Sequence, residues 1–385
     1  MKLALVISSL GGGGAERVMS TLAKAWADEG NEVTLITLAS RQEDRYPLDP
    51  AVRRVALDVA GNSANSLRAF RNNLVRIRAL RRAIRTCGAD VVISFVTRTN
   101  VLSLLATIGL HVPVVVSERT FLGARWVHGI WYALYRLLYR RAATVVVQTH
   151  RCAAEMESVL HCKARVIPNA VQPDAASTSS HHEWPAPPAP RGRDGRRTLL
   201  AVGRLSREKG FDLLIDAFSR VARRHPDWDL KILGDGLLRD ELTQAIAASG
   251  CADRIAMPGF DRHVREAMRQ ADLFVLSSRF EGFPNVLLEA MSEGRACASF
   301  DCNTGPRELI CHGENGWLVP AEDVQALAAA LDVLMGDGGL RARLGMRARE
   351  VRTLYSLPKV VAQWNALLAS LAPHARGMRA AGENA

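Results

Sequence analysis

Short runs rich in β-branched residues alternate along this chain with longer amphipathic stretches, and the alternation occurs twice with a break between. The first series has apolar runs at 3–7, 32–38, 91–95, 112–116 and 144–147, with an amphipathic stretch at 15–28. Runs that are apolar throughout belong to strands buried on both faces. Helix-length spacers between them are what a parallel neighbour requires, because the chain must return to the same end of the sheet. Between residues 173 and 197 the pattern stops at Ser-Thr-Ser-Ser, a His pair and five prolines. A second series follows at 198–202, 230–233, 273–276, 296–300 and 317–319, then a last amphipathic stretch at 360–371 and a Gly/Ala-rich tail. The expected class is α/β with two Rossmann-like domains, 1–172 and 198–357, joined by a linker or surface loop at 173–197. A helix at 358–371 and a disordered tail at 372–385 complete the chain. At 385 residues the length suits two domains rather than one core. Open parallel sheets bind ligands at the carboxyl ends of their strands, so the site is expected in a cleft between the domains.

The net charge of +11 is unevenly placed. Residues 1–172 hold 23 Lys and Arg, 20 of them Arg, against 12 Asp and Glu, whereas the remainder holds 27 against 27. Only the first domain is therefore expected to meet an anionic surface or ligand. The seven cysteines form no CxxC pair, which excludes a zinc pattern, and their odd number argues against a disulfide framework. Cys297, Cys302 and Cys311 are read as packing residues of a protein in a reducing cytoplasm. The apolar N-terminal run is too short for a signal peptide and fits a buried first strand. Residues 101–116 are interrupted by His111 and Pro113 and fall short of the roughly 20 residues a membrane span needs, so no span is expected. No helix-turn-helix, RNA-recognition or zinc module is present, and a nucleic-acid partner is not expected.

Three segments carry chemistry. Gly11-Gly12-Gly13-Gly14-Ala15-Glu16 follows a strand and opens a helix, where consecutive glycines allow close approach and the first amides attract phosphate. It is neither a dinucleotide fingerprint nor a P-loop, since Glu16 stands at the third glycine and no Gly-Lys-Ser/Thr follows. It is either a plain turn or a loop bordering a ligand. Gly203-Arg204-Leu205-Ser206-Arg207-Glu208-Lys209-Gly210 also follows a strand. Arg204 and Lys209 together can neutralise a diphosphate, although a solvated basic loop has the same composition. Glu281-Gly282-Phe283-Pro284-Asn285-Val286-Leu287-Leu288-Glu289 puts one carboxylate in a loop and another on a helix, with Pro284 in its first turn. The pair can grip sugar hydroxyls while helix amides hold phosphate oxygens; a capped helix with two surface acids is the alternative.

In this order GRLSREKG, EGFPNVLLEAM, the preceding VIPNAV (166–171) and the following GPRELICHGENGWLVP (305–320) resemble the retaining, family 4 glycosyltransferases of the GT-B fold. GGGGAERV is similar to that family's Gly-rich loop. The resemblance runs from Lys2 to about Leu371. It implies that Arg204 and Lys209 bind the diphosphate of a nucleotide-sugar, that Glu289 binds the ribose hydroxyls, and that Glu281 lies near the donor sugar. Gly282 and the amides from Phe283 to Leu287, including Asn285 and Val286, would surround sugar and phosphate, except that Pro284 has no N–H. Gly13 and Gly14 would approach the diphosphate, and the final helix would cross back to the first domain.

Where many relatives carry a histidine after the fourth or fifth strand, this chain reads Val116-Ser117-Glu118-Arg119-Thr120. Glu118 and Arg119 become candidates for the acceptor side, as in relatives that build surface polysaccharides and glycans. The resemblance implies transfer of a hexose or N-acetylhexosamine, from UDP rather than GDP, to a glycan or lipid-linked acceptor. It implies retention, with Glu281 orienting the sugar. Arg204, Lys209 and helix amides supply positive charge for the departing diphosphate, and the lack of a convincing DxD pair leaves no metal and no cofactor expected. A sugar-phosphate synthase and a nucleotide-sugar epimerase share the architecture and stay open; monomer is the default. On residues 67–85, Leu67, Phe70, Leu74, Ile77 and Ile84 share one helical face while Arg68, Arg71, Arg78, Arg82 and Arg85 crowd another. With Trp131, Tyr132, Tyr135 and Tyr139 nearby, this predicts peripheral association with an anionic membrane, on the inner face of the cytoplasmic membrane; a crossover helix with a solvated basic face is the alternative.

Overall fold

The computed structural model describes residues 1–46, 48–61, 66–119, 130–162, 164–171 and 195–382. They form two compact units, one of residues up to Ala170 with those from Pro358 on, the other Val171–Leu357. The expected linker therefore lies almost wholly outside the described residues.

The first unit holds seven parallel strands: β1 (Lys2–Ile7), β2 (Glu32–Thr37), β3 (Arg53–Ala56), β4 (Val91–Phe95), β5 (Val114–Ser117), β6 (Thr144–Val147) and β7 (Ala164–Val166). Their order is β3-β2-β1-β4-β5-β6-β7. The second unit holds six: β8 (Arg197–Val202), β9 (Trp228–Leu233), β10 (Ile255–Gly259), β11 (Leu273–Leu276), β12 (Cys297–Asp301) and β13 (Trp317–Pro320). Their order is β10-β9-β8-β11-β12-β13, again parallel throughout. The central strands are buried from end to end, as in Leu3 to Ile7 and Val91 to Phe95, because helices cover both faces. β3, β7 and β10 are sheet edges, half exposed and mixed in polarity, and so lack the continuous apolar run that marks the others.

In each sheet the chain builds outward from a central strand and then restarts on its other side, between β1 and β4 and between β8 and β11. The carboxyl ends of those neighbouring strands are where such sheets bind ligands.

The last helix, Leu357–Gly382, packs on the first unit. Trp364 is 1% exposed, meets Trp26 edge-on at 6.0 Å and stacks on Phe95 at 6.2 Å. Trp26 Nε1 donates to Asn365 Oδ1 at 2.9 Å, and Asn365 donates in turn to the Glu29 carboxylate. The helix continues to Gly382, through most of the segment expected as a disordered tail. Replacing Trp364 with Ala is expected to cost the first unit about 3–5 kcal/mol. Hydrogen exchange should then show lost protection in β1 and β4 and unchanged protection in β8 and β11.

Candidate functional site

In the second unit the segment from Gly203 to Gly210 leaves β8, and the segment from Ser277 to Pro284 leaves its neighbour β11. Arg279 fastens one to the other. Its guanidinium donates to both Asp212 oxygens at 2.8 and 2.6 Å, to Glu322 at 2.9 Å and to the Arg207 carbonyl at 2.9 Å, while its amide donates to the Glu208 carbonyl at 2.8 Å. Burial pushes the Asp212 carboxyl up, but the Arg279 bonds prevail and hold it below its ordinary range. Ser277 Oγ adds a bond to the Lys209 carbonyl at 2.9 Å. Gly210 has φ +61°, and a Cβ there would strike the Ser277 carbonyl. Gly234, at the end of β9 with φ +146°, lies against the Gly203 carbonyl in the same way. Sequence reasoning missed both Gly234 and Arg279; the Gly234-Asp235-Gly236 triplet after a strand was the available signal.

This fastening brings Lys209 and Glu281 together, Nζ to Oε1 at 2.7 Å, with Glu281 only 9% exposed. Ser278 Oγ donates to the same oxygen at 2.6 Å, and Thr304 Oγ1 donates to the Glu281 carbonyl. Lys209 is thus already matched by a carboxylate. Arg204 is exposed and makes no side-chain hydrogen bond or ion pair among the described residues.

Pro284 is the N-cap of the helix Asn285–Ser292, one position earlier than expected. Leu287 and Leu288 both donate to its carbonyl, at 3.0 and 3.1 Å, so the Leu287 amide is engaged. The amides of Gly282, Phe283 and Val286 have no acceptor among the described residues. Asn285 is half-buried at the head of the helix. Phe283 turns inward, 7% exposed, onto the edge of Tyr355 at 6.1 Å. Gly305, φ +97°, closes the turn: a Cβ would sit 2.5 Å from Pro284 Cδ. Glu289 lies in the second turn, 3% exposed, and is a buried acid rather than a surface one.

In the first unit Gly13 caps the helix Gly14–Asp28 with an ordinary φ of −94°; the left-handed residue of the turn is Gly12, φ +86°. Gly13 and Gly14 follow β1. Glu118 and Arg119 follow β5. Glu118 is 2% exposed, and its donors among the described residues include Thr97 Oγ1 at 2.7 Å and the Arg119 amide at 3.2 Å on Oε1, and the Tyr139 hydroxyl at 2.9 Å on Oε2. Asn100 donates to Tyr139 Oη at 2.9 Å and to the Ser117 carbonyl at 3.0 Å. Arg119 lies over the Phe95 ring, 3.8 Å from its centre, and bonds Asn169 of the VIPNAV segment. Burial presses the Arg119 guanidinium below its ordinary value, with Glu118 acting the other way, and burial pushes the Tyr139 phenol far up. Val96, after β4, has φ +74°, a strained conformation for a β-branched residue.

On the helix Ser66–Cys87, Arg68, Arg71, Arg78, Arg82 and Arg85 are exposed, as are Phe70 at 67% and Val75 at 44%. The aromatic anchor is corrected. Tyr135 and Tyr139 are core residues at 0% and 1%, with hydroxyls on Met156 and Glu118, and only Tyr132 is exposed; the Trp131 side chain lies outside the described residues. Cys297 and Cys302 are buried, with the Cys302 thiol pushed up to about 12 by burial, but Cys311 is exposed and packs nothing. No group of three or more His, Cys, Asp or Glu among the described residues is placed to hold a metal.

The family patterns described as "Glycosyl transferases group 1" and "Glycosyltransferase Family 4" match residues 185–351 and 12–175. The chain belongs to the family 4 glycosyltransferases. It is 26% identical over 377 residues, 96% of this chain and 99% of the relative, to a diNAcBac-PP-undecaprenol-linked alpha-1,4-N-acetyl-D-galactosaminyltransferase of Campylobacter jejuni. A local match, 38% identical, joins 47% of this chain to 19% of an exopolysaccharide phosphotransferase of Streptomyces coelicolor. Among solved structures, Anabaena HepE in complex with UDP and glucose superposes with a TM-score of 0.76 at 20% identity, over 96% of this chain and 100% of that one. This family 4 enzyme therefore has the GT-B class of α/β fold, with two parallel-sheet Rossmann-like domains.

Replacing Lys209 with Met leaves Glu281 without its cation, and combining it with Glu281→Gln should recover part of the lost stability. A double-mutant cycle followed by urea unfolding should give a coupling of about 0.5–3 kcal/mol; zero coupling would mean that the ion pair does not form.

Proposed function

We propose that this family 4 enzyme moves a hexose or N-acetylhexosamine from a UDP-sugar to a lipid-linked glycan acceptor in polysaccharide or glycan biosynthesis, with retention and without a metal ion. The observation that carries this reading is the fastened pair of loops after β8 and β11. They set Arg204, the Lys209–Glu281 pair and the amides of Gly282, Phe283 and Val286, which have no acceptor among the described residues, on one edge of one sheet. That edge supplies positive charge where a diphosphate leaves. Arg204 takes the phosphate oxygens, and Lys209 shares itself between them and Glu281. Glu289 takes the ribose hydroxyls, and Glu281 orients the sugar. The bond from the anomeric carbon to the diphosphate breaks as the bond to the acceptor oxygen forms, and the acceptor proton passes to the departing phosphate oxygen. The Campylobacter relative, whose acceptor is named as a diphospho-undecaprenol-linked sugar, supports a lipid-linked acceptor, and Glu118 and Arg119 are assigned to the acceptor side.

Transfer assays across UDP- and GDP-sugars in EDTA, for wild type and for Arg204→Gln and Glu289→Ala, test this reading. The expected result is turnover of one UDP-sugar in EDTA, reduced about 10²–10³-fold by Arg204→Gln. Dependence on added Mg²⁺ or Mn²⁺, or interconversion of donors without an acceptor, would overturn it.

The exposed arginines of Ser66–Cys87, with Phe70 and Val75 among them, support peripheral binding to the inner face of the cytoplasmic membrane. In flotation the protein should rise with anionic liposomes at low salt, and charge reversal at Arg71, Arg78 and Arg82 should keep it at the bottom. Wild-type protein that stays at the bottom at low salt refutes membrane association.

A further inference from the structure

Arg119 is fixed on two sides, and its third edge has no partner among the described residues. One face of its guanidinium lies on the Phe95 ring, which is itself backed by Trp364 of the last helix. Nη1 donates to Asn169 Oδ1. Nε is buried and has no hydrogen-bond partner, and Nη2 makes no hydrogen bond among the described residues. The Nε and Nη2 hydrogens point the same way and form the edge that takes two oxygens of a carboxylate or phosphate at once. A buried donor without a partner costs about 1–3 kcal/mol, so an arrangement that holds the guanidinium flat while leaving this edge empty favours a ligand that fills it.

Glu118, two atoms of chain away, does not fill it. Thr97 and the Arg119 amide occupy one of its oxygens and Tyr139 the other. Ser117 Oγ and Asn100 Oδ1, both on fully buried residues beside this network, are also unpaired, so polar capacity is left over around Arg119 and not around Glu118.

We propose that Arg119 reads an anionic group of the acceptor, a phosphate or a carboxylate, through its Nε/Nη2 edge, and that Glu118 is a positioning residue which holds the turn carrying Arg119. This rests on the transferase reading for the word acceptor, but the anion site itself can be measured without turnover. It divides the Glu118–Arg119 pair into a residue that touches the ligand and one that does not.

The test is calorimetric titration of the full chain, saturated with UDP to occupy the donor site, with inorganic pyrophosphate in one arm and glucuronate in the other. Binding in either arm that weakens at least tenfold in Arg119→Lys, which keeps the charge but loses the fork, supports the proposal, and the arm that binds names the source of the anion. Glu118→Gln should weaken the same ligand several-fold and leave UDP affinity unchanged; a parallel loss of both would mark a purely structural role and overturn its half of the proposal. Equal binding by Arg119→Lys, or no binding in either arm, overturns the assignment of Arg119. Peptide-mapped phenylglyoxal labelling of wild type gives a second reading that needs no variant: the ligand should protect Arg119, and unprotected Arg119 would sink the idea. Failure of UDP itself to bind would strike the donor reading instead, since the Arg119 labelling is also read without UDP.

Discussion

Parallel pairing is the constraint from which the sites follow. A parallel neighbour demands a crossover, crossovers cover both faces of the sheet, and a strand buried on both faces can expose its chemistry only at its ends. Because each chain segment builds outward and then restarts beside its first strand, the loops after β1 and β4, and after β8 and β11, leave neighbouring strand ends. The sheet's own ladder leaves such loops free to wander. In the second unit Arg279 prevents this by spending its donors on Asp212, Glu322 and two backbone groups of the neighbouring loop. The Lys209–Glu281 contact depends on that fastening, because the two residues are 72 positions apart and nothing local brings them together.

The central strands and the position of each site loop were legible because burial on both faces writes an uninterrupted apolar run and because glycines must stand where backbones touch. Three of the four edge strands, β3, β7 and β10, were not, since a half-exposed strand carries arginines and prolines like any loop, whereas the fourth, β13, keeps an apolar run over 317–319. Residue types at the site were legible from motif order, but their partners were not. Nothing in the sequence says that Lys209 meets Glu281, that Glu289 is buried, or that the Leu287 amide is taken by the Pro284 carbonyl. The glycine that the first turn needs is Gly12, although Gly13 and Gly14 have the same composition around them. The stretch of aromatics near Tyr135 misled for a physical reason: tyrosines beside arginines suit a membrane interface, but they suit a helix packed on a sheet equally well, and here two of the hydroxyls are satisfied internally.

The first unit shows why its surplus of arginine is not one feature. Arg76 and Arg81 donate to backbone carbonyls of neighbouring loops and belong to the fold. Arg68, Arg71, Arg78, Arg82 and Arg85 face outward on the same helix and are free to meet an anionic surface. Arg119 belongs to neither group, since it is held by an aromatic face and an amide in a turn beside the buried Glu118. Net charge shows only that the surplus lies in the first unit; burial and bonding divide it into three groups.

The two units solve the same problem with similar means. In each, a glutamate after a central strand is taken out of solvent and given hydroxyl donors, Thr97 and Tyr139 for Glu118, and Ser278 for Glu281, with Thr304 donating to the Glu281 carbonyl. In each, an arginine close to it in the structure or on the adjoining loop is left with donors to spare, Arg119 in one and Arg204 in the other. Glu118, bonded on both carboxylate oxygens, is a rigid element, whereas Glu281 is held through Oε1, by Lys209 and Ser278. In each unit the fixed acid steadies the turn or loop that follows a central strand.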